Sequence, residues 1–267
     1  MIRQIDGRPA YAYTGGKPWE AGPGAVVFIH GALNDHSVWN LLARWFAHHG
    51  RPVLAVDLPG HGRSEGPPLG SIEALADWII ALLDATGQTQ AALVGHSMGS
   101  LVALEAAARA PTRATALGLV ATAYPMKVSP ALLQTALDDP LKAIDMVNAW
   151  SISTTAAKPS FPGPGAWLHG GNRALMRRIQ AGCTGTNLFA HDFRLCDAYA
   201  TGLAAAAAVK CPARVITGTD DQMTPPRSAE ALAVALNAPV TRIAAGHALM
   251  QEAPDPLLAA LRRLLPT

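Results

Sequence analysis

Short, unbroken apolar runs recur along this chain, separated by longer stretches with helical spacing. The runs Ala25–Ile29, Val53–Val56, Ala91–Val94 and Ala116–Val120 are short and apolar throughout, as fits strands buried on both faces. Ala213–Thr217 and Val240–Ile243 read as further strands, with Arg214, Thr241 and Arg242 among their residues. Between them the spacing predicts helices. One is capped by Ser37, runs to His49 and is ended by Gly50; another runs from Ser71 to about Thr86. Further helices are predicted from Leu101 to Ala108, Arg227 to Leu236 and Asp255 to Leu265. Asp6-Gly7 between two alternating runs predicts an opening hairpin. Strands alternating with helices give an α/β fold with a mostly parallel, doubly wound sheet.

The alternation breaks near Tyr124-Pro125. From there to about Gly202 the pattern is helical, interrupted by the irregular stretch Lys158 to Gly165. We therefore expect three parts: residues 1–123 as the first half of a core, 124–203 as an inserted helical lid, and 204–267 as the second half. The run Ala204–Ala208 reads as a tightly packed helix. No internal repeat is present.

Composition narrows the function classes. At 267 residues with 50% hydrophobic and 15% charged content, the chain can bury a substantial core and is not a disordered sequence. Lys+Arg 21 against Asp+Glu 19 leaves +2, too balanced for an electrostatic nucleic-acid partner. The three cysteines, Cys183, Cys196 and Cys211, lack C-x-x-C spacing, which argues against a disulfide framework or a zinc site and fits a reducing compartment. The charged, glycine- and proline-containing first 24 residues do not read as a signal peptide. Apolar stretches such as Trp78–Leu83 are far too short for a membrane span. The expectation is a soluble, cytoplasmic protein without a membrane partner; its oligomeric state stays open.

Candidate chemistry centres on Gly95-His96-Ser97-Met98-Gly99, between a predicted strand and a predicted helix. A G-x-S-x-G in that context marks a nucleophile elbow, a turn so tight that the flanking positions must be small. A serine hydroxyl needs a base, and the base needs an orienting acid. In an elbow fold the chain order is Ser, acid, His. Only His169, His191 and His247 follow Ser97. The clear strand-end carboxylates are Asp220-Asp221, and beyond them His247 alone remains. No glycine-rich phosphate loop or metal-ligand cluster appears, so no cofactor or metal is implied.

With these residues in place the chain resembles the α/β-hydrolases over nearly its whole length. His30-Gly31-Ala32 is similar to the family's oxyanion loop, and Asp57-Leu58-Pro59-Gly60-His61-Gly62-Arg63-Ser64 resembles the loop after its next strand. Gly95–Gly99 matches the elbow, Gly218–Pro225 the acid loop and Gly246-His247 the histidine loop. The resemblance selects Asp221 over Asp220, because the family's acid loop places its aspartate three positions after the glycine. It implies Ser97 as nucleophile, His247 as base, Asp221 as orienting acid, and the backbone N–H groups of Ala32 and Met98 as oxyanion donors. His30 and His96 are expected to brace the site, and His61 and Asp57 to brace their loop. His36, Trp150, Phe161, Trp167 and Phe189 are the candidates for a substrate pocket.

The resulting expectation is a serine hydrolase, carboxylesterase-like, that cleaves an ester of a small or medium apolar molecule through an acyl-enzyme. Lactones (acyl-homoserine lactones included), thioesters, amides and carbon–carbon bonds are alternative targets of the same triad. A lyase, a perhydrolase and a non-turning-over receptor are alternatives of other classes.

Overall fold

The computed structural model describes residues 1–153 and 167–265. Among these residues eight strands form one sheet: β1 (Ile2–Ile5), β2 (Arg8–Tyr13), β3 (Val26–Ile29), β4 (Val53–Val56), β5 (Ala91–His96), β6 (Ala114–Val120), β7 (Ala213–Gly218) and β8 (Val240–Ile243). Their spatial order is β1-β2-β4-β3-β5-β6-β7-β8. The opening hairpin β1–β2 joins β4 antiparallel, and every pairing from β4 to β8 is parallel.

The uniformly apolar strands are explained by what lies on each face. Along β5, Ala91 and Leu93 point into one core and Ala92 and Val94 into the other; along β3, Val27 and Ile29 oppose Val26 and Phe28. Successive strand residues alternate sides, so a strand covered on both faces carries no polar position. Helices α2 (Ile72–Ala85) and α3 (Met98–Arg109) close the first face, and α1 (Asn40–His48) and α11 (Pro254–Leu264) the second. Helix α2 begins where Ser71 Oγ accepts from the Ala74 N–H, as its cap sequence predicts.

The cap ahead of α1 differs from expectation. Asp35, not Ser37, accepts from the Ser37 N–H at 2.9 Å, and a short 3₁₀ turn, His36–Trp39, precedes the helix. Ser37 lies inside that turn, and its hydroxyl donates to the same carboxylate.

Between β6 and β7 the chain leaves the sheet and forms α4 (Pro130–Asp138), α5 (Pro140–Ser151), α6 (Leu168–Gly182) and α7 (Leu188–Ala198), then returns through α8 (Gly202–Ala208). The alanine-rich α8 packs Ala205 and Ala206 into the first core. Helices α4 to α7 bury a small core of their own around Ile144, Ile179, Leu188 and Phe189. One residue of the main body, Leu33, is buried in it. The sheet order places the C-terminal ends of β3, β5, β7 and β8 along one edge, where doubly wound sheets bind their ligands. Short α9 (Glu230–Ala235) and α10 (Leu249–Glu252) complete the structure. No helix among the described residues is long and apolar enough to cross a membrane.

Candidate active site

Ser97 sits at the end of β5 with φ 52° and ψ −121°, a left-handed-side conformation that a non-glycine residue adopts only under constraint. The constraint comes from both neighbours in the motif. A Cβ on Gly95 would lie 2.0 Å from the Gly99 carbonyl oxygen, and one on Gly99 would lie 2.4 Å from the His30 carbonyl oxygen. Only glycines let strand, turn and helix pass that closely. Ser97 N–H donates to Val120 O at 2.9 Å, and Ser97 O accepts from Ser100 N–H at 2.8 Å. The turn is held from both sides, and the hydroxyl projects from it.

Asp221 and His247 come together from the ends of β7 and β8. His247 Nδ1 lies 2.9 Å from Asp221 Oδ2. The carboxylate is buried and fully engaged: Oδ1 accepts from the Met223 and Thr224 N–H groups, both at 2.8 Å, and Thr224 Oγ1 lies 2.8 Å from Oδ2. Burial opposes its charge, but the imidazole and these bonds outweigh burial and hold the carboxyl below its ordinary range. Asp220, one residue earlier, is exposed. The imidazole is held at its backbone too, since His247 N–H donates to Ser151 O at 2.9 Å and His247 O accepts from His96 Nε2 at 2.9 Å. Because His96 Nε2 is the donor, and burial holds that imidazole neutral by pushing its pKa down to about 3, its Nδ1 carries no proton.

The loop after β3 lies across from the serine. A Cβ on Gly31 would approach Ser97 Cβ to 3.1 Å. His30 Nδ1 donates to Gly31 O at 2.8 Å, and its Nε2 accepts from Leu58 N–H at 3.1 Å, which fixes a neutral tautomer. Burial and the neighbouring His61 lower its pKa to about 4. Among the described residues the Ala32 and Met98 N–H groups donate to no acceptor. Met98 opens α3, where the first N–H groups of a helix are free and carry its positive end.

A cavity of about 370 Å³ opens over these residues, lined by Ser97, His247, Ala32 and mostly apolar side chains of the inserted helices, including Leu132, Val147, Trp150, Met176 and Phe193. No hydrogen bond joins Ser97 Oγ to His247 within the described residues, although both face this space. Of the five pocket candidates, Trp150 lines the cavity. Phe189 instead lies wholly within the core of the inserted helices, stacked on Phe193 at 4.3 Å. Trp167, ahead of α6, is 55% exposed and outside the lining. His36 turns away, its Nδ1 on Asp57 Oδ1 at 2.7 Å and its ring against Tyr11. Phe161 lies outside the described residues.

Residues 26–260 match the Alpha/beta hydrolase family. The chain belongs to that family. As an alpha/beta hydrolase it is 39% identical over 102 residues to lipase LipV of Mycobacterium tuberculosis, covering 38% of each chain. It is 43% identical over 98 residues to a pimeloyl-[acyl-carrier protein] methyl ester esterase of Neisseria meningitidis, covering 36% of each. Such curated relatives are thus matched over only about a quarter to two fifths of their own length. The enol-lactonase of Burkholderia xenovorans superposes with a TM-score of 0.81 over the whole of both chains at 24% identity, a likeness of fold.

Within this alpha/beta hydrolase two groups near the site escape sequence reasoning. Thr224 Oγ1 reaches both Asp221 Oδ2 and, at 3.2 Å, His247 Nδ1. Asp192, on α7, lies 95 positions after Ser97 and has no motif around it, yet its Oδ2 accepts from Leu33 N–H at 3.0 Å and His61 Nε2 at 2.9 Å. His61 Nδ1 faces Pro59 O at 3.1 Å, so both ring nitrogens face acceptors, an arrangement that favours the protonated imidazole. Burial disfavours both charges, but each stabilises the other: His61 is raised and Asp192 strongly lowered. Asp35, His36 and Asp57 also cluster closely enough to suggest a cation site. Their ligand atoms already serve Ser37, Arg178 and the backbone of Arg63.

Proposed function

We propose that this protein is a serine hydrolase that cleaves a carboxylic ester of a small or medium apolar molecule through an acyl-enzyme. The observation that carries the reading is the buried Asp221–His247 pair at 2.9 Å, facing the same apolar cavity as the constrained Ser97. Asp221 holds the proton of His247 on Nδ1, which leaves the Nε2 lone pair to take the proton of Ser97 Oγ. The serine oxygen attacks the ester carbonyl carbon, and charge gathers on the carbonyl oxygen. The unoccupied Ala32 and Met98 N–H groups are suited to receive that charge. Collapse of the tetrahedral adduct breaks the ester C–O bond, and His247 returns the proton to the leaving alkoxide. Water, deprotonated by the same imidazole, then attacks the acyl carbon and releases the acid and free Ser97.

The cavity supports the substrate class. Its volume of about 370 Å³ lies at the lower end of the roughly 300–1,000 Å³ of small-molecule sites. Its wall carries Leu132, Val147, Met176 and Phe193, which favour an aliphatic or aromatic acyl group. We further propose that the inserted helices, including Trp150, select the acyl group, while the sheet edge carries the chemistry.

The deciding experiment pairs p-nitrophenyl esters of increasing acyl length with a fluorophosphonate label. Wild-type protein should turn over short and medium esters and take up one label at Ser97. Ser97→Ala should lose at least about a thousand-fold in kcat and all labelling, with its fold retained. A variant that keeps a tenth of the turnover refutes the assignment.

A further inference from the structure

The loop from His30 to Leu33 has no regular secondary structure, so its peptide planes must be held from outside. Two consecutive planes are. In the first, Gly31 O accepts from His30 Nδ1 at 2.8 Å and from Asn34 N–H at 3.3 Å. Because a trans peptide points its N–H opposite to its C=O, the Ala32 N–H faces away from both donors. In the second plane, Leu33 N–H donates to Asp192 Oδ2 at 3.0 Å. Leu33 has φ +53°, a conformation a leucine does not hold unaided, and its side chain is fully buried in the core of the inserted helices. Asp192 Oδ2 also takes the His61 Nε2 proton, and the His61 ring lies 4.9 Å from that of His30. One buried carboxylate oxygen therefore touches one plane directly and braces the other through two imidazoles.

We propose that Asp192 is a positioning residue for oxyanion stabilisation: from an inserted helix it sets the direction of the Ala32 N–H through Leu33 and through the His61–His30 pair. The inference rests on the serine-hydrolase reading above. It makes the donor geometry depend on the seating of the inserted helices, so the segment that shapes the pocket also completes the catalytic machinery. A second bond acts in the same sense, from Arg178 on α6 to Asp35 Oδ2 at 2.7 Å, at the far end of the loop.

The test separates the transition state from the ground state. Asp192→Asn keeps the shape and can keep an acceptor oxygen toward Leu33 and His61, but it removes the negative charge that favours a protonated His61 and so weakens both bonds. Three quantities are measured: kcat on the best p-nitrophenyl ester, Ki of a trifluoromethyl ketone carrying the same acyl group, and Kd of the intact ester in a Ser97→Ala background. Removing an oxyanion donor outright costs about 100- to 1,000-fold in kcat, so a misdirected one should cost about 10- to 100-fold. The ketone, whose adduct places an oxyanion in the same position, should weaken by a similar factor, while KM and the ester Kd stay within about two-fold. A fall in kcat without weaker ketone binding, a loss carried by KM and Kd, or no loss at all overturns the proposal. If Asp192→Asn alone does not fold, His61→Gln/Asp192→Asn removes the unpaired cation with the carboxylate and carries the same comparison. Should Ser97→Ala retain turnover, the serine-hydrolase reading fails. Should that variant be inactive while Asp192→Asn keeps wild-type kcat and ketone affinity, the positioning role alone fails.

Discussion

Replacing Asp221 by asparagine exchanges one carboxylate oxygen for an NH₂ group and tests the proposed mechanism sharply. In the wild type Oδ1 accepts two backbone N–H groups, from Met223 and Thr224, while Oδ2 faces His247 Nδ1. An asparagine must put its oxygen where those two N–H donors are, because its NH₂ there would leave buried donors facing one another. Its NH₂ then meets His247 Nδ1 at about the position of Oδ2. The imidazole is driven to the tautomer with the proton on Nε2, which can no longer accept from Ser97. In a serine protease triad the same substitution lowers kcat about 10⁴-fold, or about 5.4 kcal/mol at 1.36 kcal/mol per decade. We expect a loss of that order in kcat for p-nitrophenyl butyrate, with KM little changed. Asp220→Asn, at an exposed neighbour, should stay within about two-fold of wild type. The comparison is made at saturating substrate after titrating folded protein by circular dichroism. An Asp221→Asn variant above a tenth of wild-type kcat, or a more severe Asp220→Asn, refutes the placement of the acid.

Two further predictions concern the pocket and pH. Trp150 lines the cavity and Trp167 does not, so Trp150→Ala should move the optimum of kcat/KM towards longer acyl chains, at about four-fold per added CH₂ from roughly 0.8 kcal/mol of burial. Trp167→Ala should leave the profile in place, and an equal shift in both variants would count against the cavity as the acyl site. Asp57, Asp192 and Asp221 are all held below ordinary carboxyl values, so their stabilisation is complete above an unfolded pKa of about 3.9 and is lost as pH falls through their folded values. His61 is raised, so its contribution is complete below about 6.5 and is lost as pH rises through its folded value. A melting temperature that falls below about pH 4 is expected, and its acid limb should shrink in Asp192→Asn; an unaltered limb would remove Asp192 from the account.

The sheet was legible because its strands obey a simple rule. With helices on both faces, the middles of β3 and β5 are apolar, and unbroken runs such as Val26–Ile29 and Ala91–Val94 follow directly. The elbow was legible for a steric reason: a Cβ on Gly95 or Gly99 would come within 2.0 or 2.4 Å of a backbone oxygen, so neither position has space for one. Both are short-range constraints, written into neighbouring residues. The cap of α1 was misplaced for a related reason. Asp35 and Ser37 are both good caps, and only the 3₁₀ turn between them decides which one is outside the helix.

The pocket shows where such reasoning stops. Trp150, Trp167 and Phe189 look alike as large apolar residues in a helical insert, but their fates depend on which face of each helix meets the sheet. Phe189 and Phe193 are four positions apart on α7 and stack together, yet only Phe193 reaches the cavity. That difference is a property of how α7 seats on the body of the protein. Asp192 lies between them on the same helix and is directed into the seam, where it meets Leu33 and His61, residues 159 and 131 positions away. A carboxylate in such a place would be costly without those partners, so its burial is evidence that the seam is a designed contact rather than a loose cover. A helix that must bury an aspartate against the loop carrying Ala32 cannot shift without leaving either a charge or a backbone N–H unpaired. In the proposed reading, pocket shape and the direction of the Ala32 N–H are tied to a single packing arrangement, and motifs read one at a time have no means of expressing that tie.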